Sequence, residues 1–327
     1  MKKNLFFLII AIGLISGCSG KKYYEPQNST TYKNQQSIES SIEFLNNDIA
    51  TLQNKKFIYS NMISKNMIPD GFKVLNSNGD VFVAADTSKN IMVCQDSNCN
   101  TYDVDGQVIG ASIKGDILAL IYWDNSISLY DTKNKKITFR EYSKSVLACD
   151  NRIANPKFMT DIVLFPMLDG KVAVVNYTKN EKIRDILVDA DGQFNNVFHL
   201  DSISDVLVAA TRNSLITLSS ANFNIKNYEI SEIITDDKNI WIATLDGKII
   251  KLDNNLVEVK SSKFKYAKFV GLAQKDDFIY ALESNGYLIK IKKDFSSEEV
   301  FSVSMYKKEK IFSNKNSIIV GDTKLIF

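Results

Sequence analysis

The stretch NIWIATLDGKIIKLDNN, residues 239–255, contains two apolar runs on either side of an Asp-Gly pair. Asp246 and Gly247 both tolerate positive backbone φ angles, and such a pair between apolar runs is a strong signal for a tight β-hairpin. Each run is almost continuously apolar instead of alternating with polar residues. Because strands of this kind are buried on both faces, the hairpin is predicted to lie between two other layers of the protein.

Six other stretches repeat this pattern of strand, turn and strand. They are DVFVAADTSKNIMVCQD from residue 80, DILALIYWDNSISLYDT from 116, DIVLFPMLDGKVAVVNY from 161, DVLVAATRNSLITLSSA from 205, DFIYALESNGYLIKIKKD from 277 and SIIVGDTKLIF from 317. The interval of roughly 40 residues leaves room for two more strands in each unit, such as QVIGASI (107–113) and KKITFRE (135–141). Four-stranded units at this interval are typical of a β-propeller. We therefore predict an all-β propeller of seven four-stranded blades, with eight blades as the alternative.

The last unit, residues 317–327, provides two strands and is followed by no further strand. The segment KKFIYSNMI (55–63) precedes the first recognisable unit and is predicted to supply the missing outer strand. Such a closure joins the two ends of the ring and removes an exposed sheet edge. The propeller domain is accordingly predicted to span residues 55–327.

The N-terminal region has the pattern of a targeting segment. The apolar run LFFLIIAIGLI (5–15) follows Lys2 and Lys3. Because a membrane-spanning helix needs roughly 20 apolar residues, residues 1–17 are predicted to be a signal peptide. Residues 18–54 are predicted to be a flexible linker, with a short helix where Ile42, Leu45 and Ile49 follow a helical spacing.

Composition and cysteine spacing limit the chemistry. The 40 basic and 38 acidic residues nearly balance, which argues against nucleic acid as a partner. Cys94 and Cys99 stand five positions apart across a predicted hairpin and form a candidate disulfide, provided that their Cα atoms lie within bonding reach. Cys149 is predicted to be a buried apolar residue. No catalytic residue, cofactor site or metal site is predicted, and His199, the one histidine, is expected to be structural or exposed.

The sequence Ile15-Ser16-Gly17-Cys18 resembles the lipobox of bacterial lipoproteins. This resemblance implies that Cys18 carries the lipid and becomes the first residue of the mature chain. Two or three acyl chains on one residue give durable anchoring. The following Ser19 implies sorting to the outer membrane of a Gram-negative cell, facing the periplasm, and a Gram-positive surface lipoprotein is the alternative.

The repeats at 169–183 and 246–259 resemble the PQQ-type propeller repeat, and with the lipobox they resemble the BamB family of outer-membrane assembly lipoproteins. That resemblance implies a non-catalytic scaffold that binds the POTRA domains of BamA. The loop SVLACDNRIANP (145–156) resembles the family's partner-contacting loop, which implies a partner-binding role for Leu147, Arg152 and Pro156. The alternatives are a propeller that binds an envelope or surface ligand as an adhesin does, and a quinoprotein-type enzyme.

Overall fold

The computed structural model describes residues 22–327 except 97, 145, 147–151, 191–194 and 307–308. Within these ranges the chain forms 33 β-strands, and they build eight separate sheets of four or five strands. The prediction of an all-β propeller with four-stranded blades is confirmed. The prediction of seven blades is wrong, because the ring has eight.

Two short strands precede the first blade, β1 (Thr30–Thr31) and β2 (Gln35–Ser37). Blade 1 contains β3 (Ile42–Leu45), β4 (Ile49–Leu52), β5 (Phe57–Tyr59) and β6 (Met62–Ile63). Blade 2 contains β7 (Lys73–Ser77), β8 (Val81–Ala85), β9 (Asn90–Gln95) and β10 (Asn98–Asp103). Blade 3 contains β11 (Val108–Lys114), β12 (Ile117–Tyr122), β13 (Ile127–Asp131) and β14 (Lys136–Glu141). Blade 4 contains β15 (Lys157–Phe158), β16 (Ile162–Pro166), β17 (Lys171–Asn176) and β18 (Glu181–Leu187).

The second half of the ring has the same organisation. Blade 5 contains β19 (His199–Ile203), β20 (Val206–Ala210), β21 (Ser214–Leu218) and β22 (Phe223–Asn227). Blade 6 contains β23 (Ile230–Thr235), β24 (Ile240–Thr244), β25 (Lys248–Leu252) and β26 (Glu258–Lys263). Blade 7 contains β27 (Phe269–Lys275), β28 (Phe278–Glu283), β29 (Tyr287–Lys292) and β30 (Glu298–Ser302). Blade 8 contains β31 (Ile311–Asn314), β32 (Ser317–Val320) and β33 (Thr323–Leu325), and β2 completes it.

The hydrophobic core consists of eight clusters, each shared by two neighbouring blades. Strand β12 shows the principle, because successive side chains of a strand point to opposite faces. Leu118 and Leu120 pack toward blade 2, while Ala119 and Ile121 pack toward blade 4. All four are fully buried. Burial on both faces explains why the middle strands are continuously apolar in sequence.

The blade that the sequence analysis missed is blade 1, residues 42–63. Its central hairpin between β4 and β5 has no Asp-Gly or Asn-Gly pair, and Lys55 adopts the positive φ angle of 67° instead. The residues predicted to form a short helix form β3 and β4. The segment 55–63 belongs to β5 and β6 of this blade, so the predicted domain boundary at residue 55 and the predicted role of that segment as the closing strand are corrected.

The ring closes through an N-terminal strand, but that strand is β2. Gln35–Ser37 pairs antiparallel with Thr323–Leu325 and forms the outer strand of blade 8. Ile38, which follows β2, joins the core cluster between blades 8 and 1 together with Phe312 and Leu52. Closure therefore uses both backbone hydrogen bonds and apolar packing.

Residues 22–38, here called the N-terminal strap, run along the outside of blades 6 to 8 and replace the predicted free linker over this range. Tyr24 is buried between blades 6 and 7, with its ring centroid 6.1 Å from Phe264 and 5.7 Å from Tyr287. Strand β1 then adds in parallel to the outer edge of β30. The Tyr32 hydroxyl donates a 2.6 Å hydrogen bond to the carbonyl oxygen of Ile326. The strap is thus an integral part of the ring.

Replacing Tyr32 with Ala should lower the free energy of unfolding by about 3 kcal/mol, because it removes a buried aromatic ring and a hydrogen bond between the strap and blade 8. The matched control is Tyr23→Ala, since Tyr23 is 53% exposed and its loss should change stability by less than about 0.5 kcal/mol. The measurement is urea-induced unfolding followed by circular dichroism. Equal unfolding midpoints for Tyr32→Ala and the parent would show that the strap does not hold the ring together.

Candidate functional site: the mouth and channel of the ring

The two ends of the ring carry different loops. Strands alternate in direction within each blade, so the turn between the second and third strands lies on the same face as the connection to the next blade. We call this the upper face. The first strands of the blades are innermost and contact one another around a central channel, while the fourth strands form the exposed circumference.

A pocket of about 660 Å³ opens on the upper face above blades 1 to 4. We call it the mouth pocket. Its lining is largely apolar and includes Phe44, Leu75, Val108, Trp123, Ile153 and Leu168. Lys73 and Lys310 border it, and the Lys73 Nζ atom lies 4.6 Å from the centroid of the Phe44 ring. The volume is within the range of natural ligand-binding pockets.

Trp123 is the most prominent side chain of the mouth pocket. It lies in the turn between β12 and β13, and its indole is 60% exposed. The backbone N–H of Trp123 donates to the Gln107 carbonyl at 3.0 Å. Asn125, two positions further along the same turn, is buried, and its side-chain oxygen accepts a 2.8 Å hydrogen bond from the Leu168 N–H. The turn is therefore fixed, and the exposed tryptophan is presented on a rigid support.

Below the mouth, the channel narrows to a cavity of about 120 Å³. The Asn47 side chain, in the turn between β3 and β4, donates a 2.6 Å hydrogen bond to the Phe198 carbonyl oxygen. Blades 1 and 5 stand opposite each other in a ring of eight, so this hydrogen bond crosses the channel. It links residues 151 positions apart in sequence.

Arg152, one of the predicted partner-binding residues, lines the same cavity. Its guanidinium carbon is 4.0 Å from the centroid of the Phe198 ring, and its Nη1 atom donates to the Ser231 carbonyl oxygen. The same Nη1 atom is 4.0 Å from the Glu232 carboxylate. Arg152 therefore connects blades 4, 5 and 6 on the inside of the ring.

Of the other two predicted partner-binding residues, the structure describes only Pro156. Pro156 is buried, and its carbonyl oxygen accepts a 2.5 Å hydrogen bond from the Ser112 hydroxyl of blade 3. Leu147, like Cys18 and Cys149, lies outside the described residues. Within the described part of the predicted loop, Ile153 lines the mouth pocket, while Arg152 and Pro156 bond to neighbouring blades.

A charged cluster surrounds Asp201 in the channel. Its Oδ1 atom is 2.7 Å from Lys157 Nζ, and its Oδ2 atom accepts a hydrogen bond from the Thr235 hydroxyl. Burial alone raises the pKa of this carboxyl, but the attraction of His199 and the bonds to Lys157 and Thr235 outweigh burial and lower the pKa to about 2. Asp201 is therefore ionised at neutral pH.

Two neighbours of this cluster have pKa values shifted against their charged forms. Burial lowers the pKa of His199 to about 4, and its Nε2 atom is buried without a hydrogen-bond partner. Asp48 is accessible to solvent in the channel, but the surrounding blades limit its hydration. This desolvation, together with repulsion from Asp201, raises the pKa of Asp48 to about 6. His199 is thus neutral at neutral pH, while Asp48 is ionised and its charge lowers the stability of the folded ring.

The remaining predicted pair lies far from the channel. Cys94 of β9 and Cys99 of β10 face each other in register, with Cα atoms 4.1 Å apart, and a disulfide joins them. Cys94 is buried between blades 1 and 2, whereas Cys99 is exposed on the circumference. The disulfide therefore ties the outermost strand of blade 2 to the core.

The described residues contain no group of three or more His, Cys, Asp or Glu side chains arranged to hold a metal ion. Across the same ranges, no helix has the length and apolar character needed to cross a membrane. The described residues thus form an apolar mouth pocket with lysines at its border, above a channel lined by polar residues.

These features define the class of the molecule as an eight-bladed β-propeller with an open apolar mouth. The chain is 28% identical to the plasminogen-binding protein PgbB of Helicobacter pylori strain J99, over 96% of this chain and 67% of that protein. It is 27% identical, over the same shares, to PgbB of strain 26695. No protein-family model matches the chain.

Solved structures share the fold at low sequence identity. BamB from Moraxella catarrhalis superposes with a TM-score of 0.68 at 11% identity, covering 90% of this chain and 98% of BamB. The C-terminal WD40 domain of Sif2 superposes with a TM-score of 0.64 at 11% identity, covering 92% of this chain and 99% of that domain. These likenesses support the propeller fold.

Sequence reasoning missed Trp123, Lys73, Lys157 and Asp201 as parts of a site. Each lies beside a strand that the repeat pattern predicts, but the pattern carries no information about which blade ends meet at the channel. Trp123 had one usable signal, since this large aromatic residue stands at the end of an apolar run, immediately before Asp124 and Asn125. A bulky residue at a turn is a candidate for exposure.

Replacing Asp48 with Asn should stabilise the ring at pH values above about 6 and have little effect near pH 4. The folded-state pKa of Asp48 is raised, so ionisation opposes folding above that pKa, and the parent recovers stability as pH falls through it. Because the carboxyl contacts solvent, the gain should be small, about 1 kcal/mol, or about 2 °C in melting temperature.

The contrasting variant is Asp201→Asn. In the parent, the pKa of the Asp201 carboxyl is lowered, whereas that of Asp48 is raised. The stabilising contribution of Asp201 is present above the ordinary carboxyl pKa and is lost as pH falls toward about 2, so this variant should be less stable than the parent at neutral pH. Thermal unfolding of all three proteins across this pH range provides the test. A difference between Asp48→Asn and the parent that does not change with pH would contradict the assignment.

Proposed function

We propose that this protein is a non-catalytic propeller that binds another protein at the mouth pocket of its upper face. The observation that carries the proposal is the combination of a large apolar pocket with the exposed Trp123 and the lysines Lys73 and Lys310 at its border. Tryptophan on a rigid support is enriched among the residues that dominate protein interfaces. An apolar pocket with cationic borders suits an apolar side chain flanked by acidic residues.

The similarity to PgbB supports a protein ligand, because that relative is a plasminogen-binding protein. The alignment extends over 96% of this chain, so it includes all eight blades, but it leaves about a third of PgbB unmatched. Plasminogen is therefore the first candidate partner for this chain, and binding has to be measured with this chain itself.

BamA is the second candidate partner. The superposition with BamB supports the shared fold, and the lipobox-like residues 15–18 support a lipid anchor. On this proposal, Cys18 anchors the propeller in the outer membrane, facing the periplasm, and the mouth binds the POTRA domains of BamA. The two candidates place the mouth in different compartments, so a direct comparison of the partners separates them.

The Trp123→Ala variant should weaken binding of the true partner by about thirtyfold, since loss of a central interface aromatic commonly costs about 2 kcal/mol. The test titrates the ring with plasminogen and, separately, with a POTRA fragment of BamA. Phe223→Ala is the matched control, because Phe223 is 50% exposed on the circumference of blade 5 and should leave binding unchanged. Circular dichroism checks folding.

The outcomes of this titration are distinct. Absence of binding to both proteins would exclude both candidate partners. Equal weakening by Trp123→Ala and Phe223→Ala, or no weakening by either, would exclude the mouth as the binding site while leaving the partner identified.

The lipid anchor is tested separately. The Cys18→Ser variant should abolish incorporation of labelled palmitate and leave the precursor uncleaved, because no thiol remains to receive the lipid. Replacing Cys149 with Ser is the control, since that cysteine lies outside the lipobox-like sequence. Palmitate labelling that persists in Cys18→Ser would reject the anchor.

A further inference from the structure

The strap enters the ring at one particular place on the upper face. Lys22 Nζ is 5.6 Å from the centroid of the Tyr266 ring, and Tyr24 is buried between blades 6 and 7. Cys18 and the apolar residues 5–15 belong to the part of the chain that leads to this point. Because four residues span at most about 14 Å, a lipid on Cys18 would hold this side of the ring close to a membrane.

The surface at this place is basic and aromatic. The end of β26 and the connection to β27 on the upper face present three exposed lysines within six residues, Lys263, Lys265 and Lys268. Tyr266 lies among them with 39% exposure, and Tyr23 of the strap is 53% exposed. Together with Lys22, these six residues form what we call the basic patch.

Carboxylates also lie beside the patch, and Glu298 and Glu299 of β30 line a groove together with Lys263 and Lys265. Asp246 lies 2.6 Å from Lys263 and 3.9 Å from Lys248, so it is shared between two lysines. Glu25 of the strap is exposed nearby. Lys22 and Lys265 instead place their ammonium groups over the Tyr266 ring, at 5.6 and 5.1 Å from its centroid. The positive charge of the patch is therefore concentrated at Lys22 and Lys265, around the aromatic ring of Tyr266.

The backbone holds this aromatic centre outward. Tyr266 has a φ angle of 67°, a region that bulky residues rarely adopt. The Ala267 N–H donates to the Phe264 carbonyl at 3.0 Å, and the Phe264 N–H donates to the Gly247 carbonyl at 2.8 Å. Phe264 itself is buried in the core between blades 6 and 7. The turn is thus anchored from below while Tyr266 projects from it.

We propose that the basic patch docks the ring on an anionic lipid surface. Lysines near a membrane interact with acidic headgroups, and tyrosines favour the level of the headgroups because their rings are amphipathic. The proposal rests on the proposed lipid anchor only for bringing the patch to the membrane. The affinity of the patch for anionic lipid is a property of the ring without its lipid.

Docking at this place has a consequence for the mouth pocket. Blades 6 and 7 stand opposite blades 2 and 3 in a ring of eight, and the mouth pocket lies above blades 1 to 4. Contact between the patch and a membrane leaves the mouth on the half of the upper face that is farthest from the anchor, where it is accessible to a partner.

The test uses unlipidated residues 22–327, which contain all eight blades and the closing strand, in co-sedimentation with vesicles. Vesicles of phosphatidylglycerol and phosphatidylcholine should bind the ring, and vesicles of phosphatidylcholine alone should not. Added salt should weaken the binding because it screens exposed charges. The Lys265→Gln/Lys268→Gln double variant should weaken it about thirtyfold, which corresponds to about 1 kcal/mol for each lysine.

The matched control is Lys133→Gln/Lys136→Gln, which removes the same charge from the turn between β13 and β14 and from the first residue of β14, on the opposite face. It should bind like the parent. A third variant, Tyr266→Ala, should weaken binding without changing the charge. Equal binding to both kinds of vesicle, no binding by the parent, or equal weakening by the two double variants would overturn the proposal. None of these outcomes depends on lipidation of Cys18 or on the partner of the mouth pocket.

Discussion

Two-sided burial of the middle strands is the constraint on which the rest of this structure depends. A strand such as β12 has apolar side chains on both faces. One blade alone cannot remove both faces from water, so each core cluster is formed by two blades. The ring must therefore close, because an open end would leave a complete apolar face in water. Closure requires a fourth strand for blade 8 and a core between blades 8 and 1. Strand β2 and Ile38 supply them.

The polar interior follows from the same closure. Bringing eight innermost strands together encloses charged residues that are widely separated in sequence. Lys157 and Asp201 form an ion pair there, and Arg152 bonds to blades 5 and 6. Burial of ions is costly unless they are paired, and the cluster follows that rule with an ionised Asp201 and a neutral His199. Asp48 retains an unfavourable charge, which explains its raised pKa. These contacts give Lys157, Asp201 and Arg152 structural roles inside the ring.

The upper face combines the two features from which function is inferred. The mouth pocket presents Trp123 above blades 1 to 4, and the basic patch presents Tyr266 beside the start of the strap. Both aromatic residues are held by turns whose backbone is hydrogen-bonded to the blades below. A ring that docks on lipid at one side, as proposed, and is open to a partner at the other is suited to a binding role. The similarity to the plasminogen-binding protein PgbB is consistent with the proposed protein binding, and the likeness to BamB supports the fold.

The sequence by itself determined the hairpins, the repeat and the propeller class, because turn residues and two-sided apolar strands are local properties. Gly247 illustrates this, since its φ angle of 85° and the closeness of its Cβ position to the Phe264 carbonyl, 2.4 Å, require glycine in the turn. Only the tertiary structure decided the number of blades, the identity of the closing strand and the inward position of Arg152. Blade 1 turns at Lys55 without a glycine, and β2 is a polar edge strand that no apolar pattern marks. The positions of blade 1 and β2 in the ring depend on strand pairing and packing with residues near the other end of the chain, almost 300 positions away. Such long-range contacts leave no periodic signal in the sequence.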